Sequence, residues 1–384
     1  MAYSFTAPKR TIIGKGSLAS SADYIKELGR KAFIVTGKIV TKMGTVGILT
    51  DMLVNVGIDY VIFNDIVGEP TDDMIATGVN AYKQNKCDFC IGIGGGSPLD
   101  SAKAIVAMAT LGGEISDYVG KEISGNFPPL VLIPTTAGTG SEATKFLCVT
   151  DTKKNVKMLL KGDKLIPDIA IIDSSLTLSA PQSVTAATGM DALTHAVESY
   201  TSKKANTLTD VYALSAIKRI FNFLPTAYVD GSDEKAREEL AIAAYEAGIC
   251  INNASVTLVH GMSRPIGALF HVPHGISNAM LIKECLSYAL DGCYDRFADI
   301  ARVIGVATAE MSDEAAAKSF LYALDEICKA CEIPTLEEYG INKEKFFATI
   351  DKMATDAIAS GSPANTIKEI DKEAVVNIYK ELWK

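Results

Sequence analysis

The chain is short of histidine, of basic clusters and of long apolar runs, and each shortage excludes something. Only four of its 384 residues are histidine. A site built on imidazole must therefore draw on His195, His260, His271 and His274. No Lys/Arg cluster interrupts a formal net charge of −9, which argues against nucleic acid as a partner. No apolar run approaches the roughly 18 residues of a membrane-spanning helix. The opening MAYSFTAPKR lacks the basic-then-apolar order of a signal peptide, so the cytosol is the expected compartment. Low-complexity tracts, long linkers and internal repeats are missing as well.

What is present describes a globular protein with a large core. Hydrophobic residues make up 48% and charged residues 22%, and the length suggests two domains, at most three. The eight cysteines are scattered. Two C-x-x-C pairs occur, Cys87/Cys90 and Cys328/Cys331, but more than two hundred residues separate them. Cys90 opens an apolar strand and the second pair lies in a helical pattern, so small core thiols in a reducing compartment are expected rather than a four-cysteine zinc site.

Apolar strands alternate with helices over the first half. The first fifteen residues read as a short hairpin ending at Gly14 and Gly16. Strands are expected at 32–36, 60–63, 89–93, 129–133 and 169–173, with helices at 41–56, 72–84 and 98–110. That alternation implies a parallel sheet covered on both faces. After Pro181 the pattern is helical. The expected architecture is a Rossmann-like α/β domain over residues 1–180 and an all-α domain over 181–384, with the active cleft between them.

Asp191 and His195 are four apart in a helical run, 183–200, so they share one face. The other three histidines lie between 260 and 274, where two prolines and two glycines forbid one unbroken helix and force a turn. His260 and His274 can therefore converge on Asp191 and His195. One carboxylate and three imidazoles suit Fe(II) or Zn(II). An Asp/His pair at this spacing is ordinarily just a hydrogen bond. The concentration of histidine makes the ligand reading as good as the bland one.

Two loops could meet a nucleotide. Gly92-Ile-Gly-Gly-Gly-Ser-Pro-Leu-Asp100 follows a strand and opens a helix, with Ser97 suited to the N-cap and Pro98 to the first helical position. Pro134-Thr-Thr-Ala-Gly-Thr-Gly-Ser-Glu142 is rich in hydroxyl donors. Each alone reads equally as a tight turn or a capped polar loop. Two at one sheet edge favour a dinucleotide pyrophosphate site.

With Thr188-Gly-Met-Asp-Ala-Leu-Thr-His-Ala-Val-Glu198 and the stretch from His260 to His274, these loops resemble the iron-containing (group III) alcohol dehydrogenases over essentially the full length. That family includes lactaldehyde reductases, 1,3-propanediol dehydrogenases and butanol dehydrogenases, and shares the dehydroquinate-synthase-like fold. The resemblance implies metal ligation by Asp191, His195, His260 and His274. It implies pyrophosphate binding at Gly94, Gly95, Gly96 and Ser97, with Asp100 toward the nicotinamide end. Thr135, Thr136 and Thr139 match the second cofactor loop, and Thr144, Lys157 and Leu178 the ribose and nicotinamide side. It further implies a homodimer acting on a small alcohol or aldehyde.

The chain departs from many diol and lactaldehyde enzymes of the family at two places. Arg264 stands where they carry a further histidine. Ile358-Ala-Ser-Gly-Ser-Pro-Ala364 replaces a segment with Cys and Asn-Pro-Arg. Arg264 is expected to pair with a buried carboxylate or, as the second reading, to orient an anionic or polar substrate group. His271 is the expected proton relay, with a hydrogen bond to a metal ligand as its equal alternative. NAD-dependent members carry an Asp after the first strand, and here that position is Gly37, followed by Lys38. Loss of the repelling charge predicts that NADP(H) is accepted and preferred over NAD(H). Gly37 could also serve only as a turn residue. The expected reaction is hydride transfer between a primary alcohol or diol and the nicotinamide. A metal- and NAD-dependent lyase of the same fold is the alternative.

Overall fold

The computed structural model describes residues 2–154 and 156–383. The chain divides into two compact units, Met1–Ala180 and Pro181–Lys384.

The first unit holds a six-stranded sheet. Its strands are β1 (Arg10–Ile13), β2 (Lys31–Val35), β3 (Asp59–Phe63), β4 (Phe89–Gly94), β5 (Leu130–Pro134) and β8 (Ile169–Ile172). They lie in the order β1-β8-β5-β4-β2-β3, and every recorded pairing is parallel. The strands β4, β5 and β8 are buried at every residue, which is why they read as continuous apolar runs. Alternation along each strand divides the core in two. Phe33, Val35, Cys90 and Leu132 enter one cluster, and Ile34, Ile91, Ile93 and Val131 the other. Two further strands, β6 (Phe146–Asp151) and β7 (Val156–Lys161), form a separate antiparallel pair.

The chain runs from β2 outward to β3, then returns to β4 on the other side of β2 and continues to β5. The sheet's switch point therefore lies between the C-terminal ends of β2 and β4, the place where open α/β sheets bind ligands. Gly37 follows β2, the glycine loop follows β4, and the threonine loop follows β5.

Several local expectations are corrected. The N-terminal hairpin does not form: Arg10–Ile13 pairs in parallel with β8, a partner too distant in sequence for periodicity to reveal. The expected helix over 41–56 is two helices, Lys38–Lys42 and Thr45–Asn55, parted at Gly44 with φ 82°. The helix after the glycine loop begins at Gly96 with Gly95 as its N-cap, so Ser97 does not cap it and Pro98 is its third residue. Proline fits there because the first-turn N–H groups have no partner within the helix.

The second unit is helical, as the pattern predicts. Its central helix, Gln182–Tyr200, is buried at every residue from Gly189 to Tyr200. Helices Thr207–Val229, Glu234–Ala254 and His274–Ala289 pack on it. Side chains of Asn206, Asp233, Ser312, Asn342 and Asp371 cap the helices that follow them. Six of the eight cysteines are buried and all are free, in keeping with core thiols. Among the described residues no single helix is long and apolar enough to cross a membrane.

Candidate active site

The His260 to His274 stretch does turn, but not at its first proline. Helix Leu258–Phe270 contains Pro265 and ends at His271, which adopts the left-handed conformation with φ 55°. Pro273 then caps the helix His274–Ala289. Gly275 lets that helix start close to the central one. A Cβ there would fall 2.3 Å from the Ala187 carbonyl oxygen, so only glycine brings His274 this near.

Asp191, His195, His260 and His274 each offer one ligand atom, and these atoms lie within 4.8 Å of one another. Asp191 Oδ1 is 3.8 Å from His195 Nε2, 3.6 Å from His260 Nε2 and 3.7 Å from His274 Nε2. The rings of His195 and His260 stack with centroids 4.6 Å apart. The first three residues are buried and His274 is partly exposed, which leaves the cluster one open side.

The donor set fits a divalent cation. Asn278 Nδ2 stands 2.7 Å from Asp191 Oδ1, 3.1 Å from His260 Nε2 and 3.3 Å from His274 Nε2. Three ligand atoms thus crowd one amide nitrogen, which has only two protons to give. Asn278 Oδ1 is buried without a hydrogen-bond partner among the described residues.

Glu198 supports the cluster from beneath. Its Oε2 accepts the Nδ1 proton of His260 at 2.5 Å, which leaves Nε2 facing Asp191. Its Oε1 accepts from Thr257 Oγ1 at 2.8 Å and from the Val259 amide at 2.6 Å. Burial alone would raise the Asp191 carboxyl, but His195, His274 and His260 outweigh it and hold it well below the ordinary range. Burial is likewise outweighed at Glu198, where His260 and the Thr257 bonds lower the pKa. On His260 itself burial works downward, and Glu198 with Asp191 pushes the imidazole up to about 8.

Neither Glu198 nor Asn278 was singled out from the sequence. Both had a signal in their spacing. Glu198 follows His195 by three residues and Asn278 follows His274 by four, so each shares its ligand's helix face.

In the first unit the two loops touch. The Thr135 amide donates to the Gly94 carbonyl at 2.9 Å, and Gly94 has φ +148°, a conformation that favours glycine. Gly95 and Gly96 face Thr136 and Thr139 respectively. Asp100 accepts from Ser141 Oγ at 2.6 Å and from the Cys148 amide at 2.8 Å, tying the glycine helix to the threonine loop and β6. Lys103, fully buried, donates to the carbonyl oxygens of Thr144 and Phe146, each at 2.8 Å, and to the Thr144 hydroxyl at 3.2 Å. Burial lowers Lys103 to about 8 and raises the neighbouring Glu142 to about 7.

The remaining candidates are placed as follows. Ser97 and Leu178 are half-buried, Leu178 at the end of the short turn Ser174–Thr177. Lys157 pairs with Glu69 at 2.7 Å. Gly37 is extended and opens the helix Lys38–Lys42, and Lys38 pairs with Asp65 at 3.6 Å. His271 is exposed and lies outside the four-residue cluster. Arg264 has no carboxylate partner among the described residues, against the first expectation. It donates to Ser362 Oγ at 3.0 Å.

A parallel sheet with two linked polar loops beside its switch point, followed by a helical unit with one carboxylate and three imidazoles, is the build of a nicotinamide-linked, metal-using oxidoreductase. A family model described as iron-containing alcohol dehydrogenase matches residues 8–174, and one described as Fe-containing alcohol dehydrogenase family, C-terminal, matches 185–383. The chain belongs to the iron-containing alcohol dehydrogenase family. It is 36% identical to the NAD-dependent methanol dehydrogenase of Bacillus methanolicus, covering 95% of this chain and 97% of that one. With the 1,3-propanediol dehydrogenase of Citrobacter freundii the identity is 35%, over 99% of each. A crystal structure of 1,3-propanediol oxidoreductase superposes over all of both chains with a TM-score of 0.96 at 33% identity. The resemblance read from the motifs is borne out, and the lyase alternative is not favoured.

Proposed function

We propose that the protein catalyses reversible hydride transfer between a small primary alcohol or diol and NADP(H) or NAD(H), with a divalent metal held by Asp191, His195, His260 and His274. The convergence of those four ligand atoms within 4.8 Å carries the reading. A metal bound there supplies a Lewis acid that lowers the pKa of an alcohol hydroxyl. Fe(II) is the favoured metal on family grounds, and the same donors suit Zn(II). Glu198 keeps the proton on His260 Nδ1, so that Nε2 presents its lone pair. His271, an exposed imidazole three residues before His274, is our candidate for passing the released proton to solvent.

The glycine and threonine loops are assigned to the dinucleotide. Gly94, Gly95, Gly96 and Ser97 present backbone at a helix start for the pyrophosphate. Thr135, Thr136 and Thr139 line the adjoining loop, Asp100 stands at its nicotinamide end, and Thr144, Lys157 and Leu178 serve the ribose and nicotinamide side. Thr144 does so through the carbonyl and hydroxyl that Lys103 holds. Lys103 is a positioning residue in this scheme. Gly37 and Lys38 favour NADP(H). The Lys38 ammonium is exposed, so its pairing with Asp65 yields to a 2′-phosphate. A cytoplasmic homodimer completes the proposal. The dimer rests on family resemblance alone.

The test is anaerobic purification, metal analysis, and NAD(P)H absorbance with a panel of short aldehydes and alcohols, with and without added Fe(II) or Zn(II). Metal-dependent turnover is expected. Metal-loaded protein that oxidises no alcohol and reduces no aldehyde would remove the proposal.

A further inference from the structure

Arg264 follows His260 by four residues in the helix Leu258–Phe270, so both side chains leave the same helix face. His260 turns its Nε2 toward Asp191, which makes this the face on which the four-residue cluster gathers. The two residues are separated along the axis by about 6 Å.

The guanidinium is half-buried and always charged. It carries five N–H donors in a planar fork. Among the described residues its recorded hydrogen bond is the one from Nη1 to Ser362 Oγ, a neutral acceptor. Three other arginines of the helical unit are answered by acids, Arg219 by Glu239, Arg296 by Asp210 and Arg302 by Asp313, while the buried Arg237 is held by the Gly231 carbonyl and the Thr185 hydroxyl. A partly desolvated cation without a counter-charge is costly, and a site that keeps one is complementary to an anion that arrives later. Ser362 is itself buried, and the turn Pro363–Asn365 beside it packs on the same helix, so the arginine is held from one side.

We propose that Arg264 is a specificity-determining residue of the alcohol–aldehyde site, which receives a carboxylate at the far end of a short substrate. The inference rests on the dehydrogenase function proposed above. With Nη1 given to Ser362, the edge formed by Nε and Nη2 remains, and two parallel N–H groups match a carboxylate in bidentate geometry. The axial spacing of about 6 Å between the levels of His260 and Arg264 suits a chain of about four carbons. The favoured substrate class is a short ω-carboxylated aldehyde or alcohol.

The metal-loaded protein is assayed with 4-oxobutanoate and with butanal, a pair matched in chain length. The wild type is expected to favour 4-oxobutanoate in kcat/KM by about tenfold or more, one charge-assisted contact being enough for that. Arg264→Met is expected to erase this preference, a fall of about tenfold or more in the ratio, chiefly through KM for the anion, and Arg264→Lys to retain part of it. Ser362→Ala lowers it by a few fold. Succinate, which cannot react, gives a reading without turnover: its calorimetric affinity should fall about tenfold in Arg264→Met. Butanal turnover with no carboxylate preference, equal loss of both substrates in Arg264→Met, or unchanged succinate binding overturns the assignment while the dehydrogenase function stands. No turnover of any alcohol or aldehyde takes both down.

Discussion

Glu198 in the helical unit and Glu142 in the α/β unit are the same residue type at nearly the same burial, 0% and 1% exposed, yet they are driven in opposite directions. Glu198 is held below its ordinary pKa because His260, Thr257 and backbone amides outweigh burial. Glu142 is raised to about 7 because burial wins. Lys103, the cation that opposes this rise, spends its donors on Thr144 and Phe146, and Glu142 Oε2 has no partner among the described residues. Burial does not decide the charge of a carboxylate; the donors aimed at it do. The contrast extends to the two sites. The helical unit gathers acceptors around one point and calls for a cation. The loops of the α/β unit offer backbone N–H groups and hydroxyls at a helix start and call for an anion.

Removing an acceptor from the helical cluster tests the first half of that contrast and has the largest effect. His260→Ala or His274→Ala is expected to abolish turnover and lower bound metal while circular dichroism stays native. The helices bury their own core without the site. A variant with full metal and full rate would remove that histidine from the ligand set.

Neutralising Glu142 tests the second half. Between pH 4.5 and about 7 the folded protein holds a proton on Glu142 that the unfolded chain has released, so stability falls as pH rises through this window. Glutamine does not titrate. Glu142→Gln should therefore gain on the parent from pH 5 to 7.5, by roughly 2 kcal/mol, the slope reaching 1.36 kcal/mol per pH unit only in mid-window. Differential scanning calorimetry at both pH values reads the gap. A gap that stays constant or narrows contradicts the raised carboxyl.

Glu198→Gln weakens the hold on His260 without touching a ligand atom. Metal affinity, measured by chelator competition, is expected to fall by about 10- to 100-fold, as for other partners of ligating histidines. An affinity equal to the parent's would show that Glu198 serves the fold alone.

The smallest effect is expected at the switch point. Gly37 has φ −108°, and the nearest atom to a Cβ is the Ile66 carbonyl oxygen at 3.4 Å, so the backbone accepts aspartate there. Gly37→Asp should move the NADPH/NADH ratio of kcat/KM toward NADH by about tenfold, or ~1.4 kcal/mol. An unchanged ratio, or a parent that already prefers NADH, removes Gly37 from cofactor choice.

Much of the fold was legible. The strands β2, β4, β5 and β8 are runs of Ile, Val, Leu and Phe bounded by turn residues, and burial on both faces leaves that mark on a sequence. The four cluster residues were legible for a different reason: histidine is so scarce here that its few positions had to be considered together. The hairpin misled because Arg10–Ile13 takes its partner from Ile169–Ile172, and local pattern says nothing about a distant strand. The turn between His260 and His274 was legible but its place was not, because Pro265 sits inside the helix and the break comes at His271.

The sequence by itself determined the chemistry available: a carboxylate and an imidazole at helical spacing, two further imidazoles on either side of a turn, and glycine wherever backbone must approach something closely. Those are properties of residue type and short spacing, which local geometry converts directly into a shared face or a tight turn. Only the tertiary structure decided which groups answer one another. It brought Glu198 to His260, gave Asn278 three acceptors, spent Lys103 on carbonyl oxygens, and left Arg264 with a serine in place of an acid. A hydrogen bond or ion pair depends on distances of a few ångströms between atoms far apart in the chain, and those distances exist only once the core has packed.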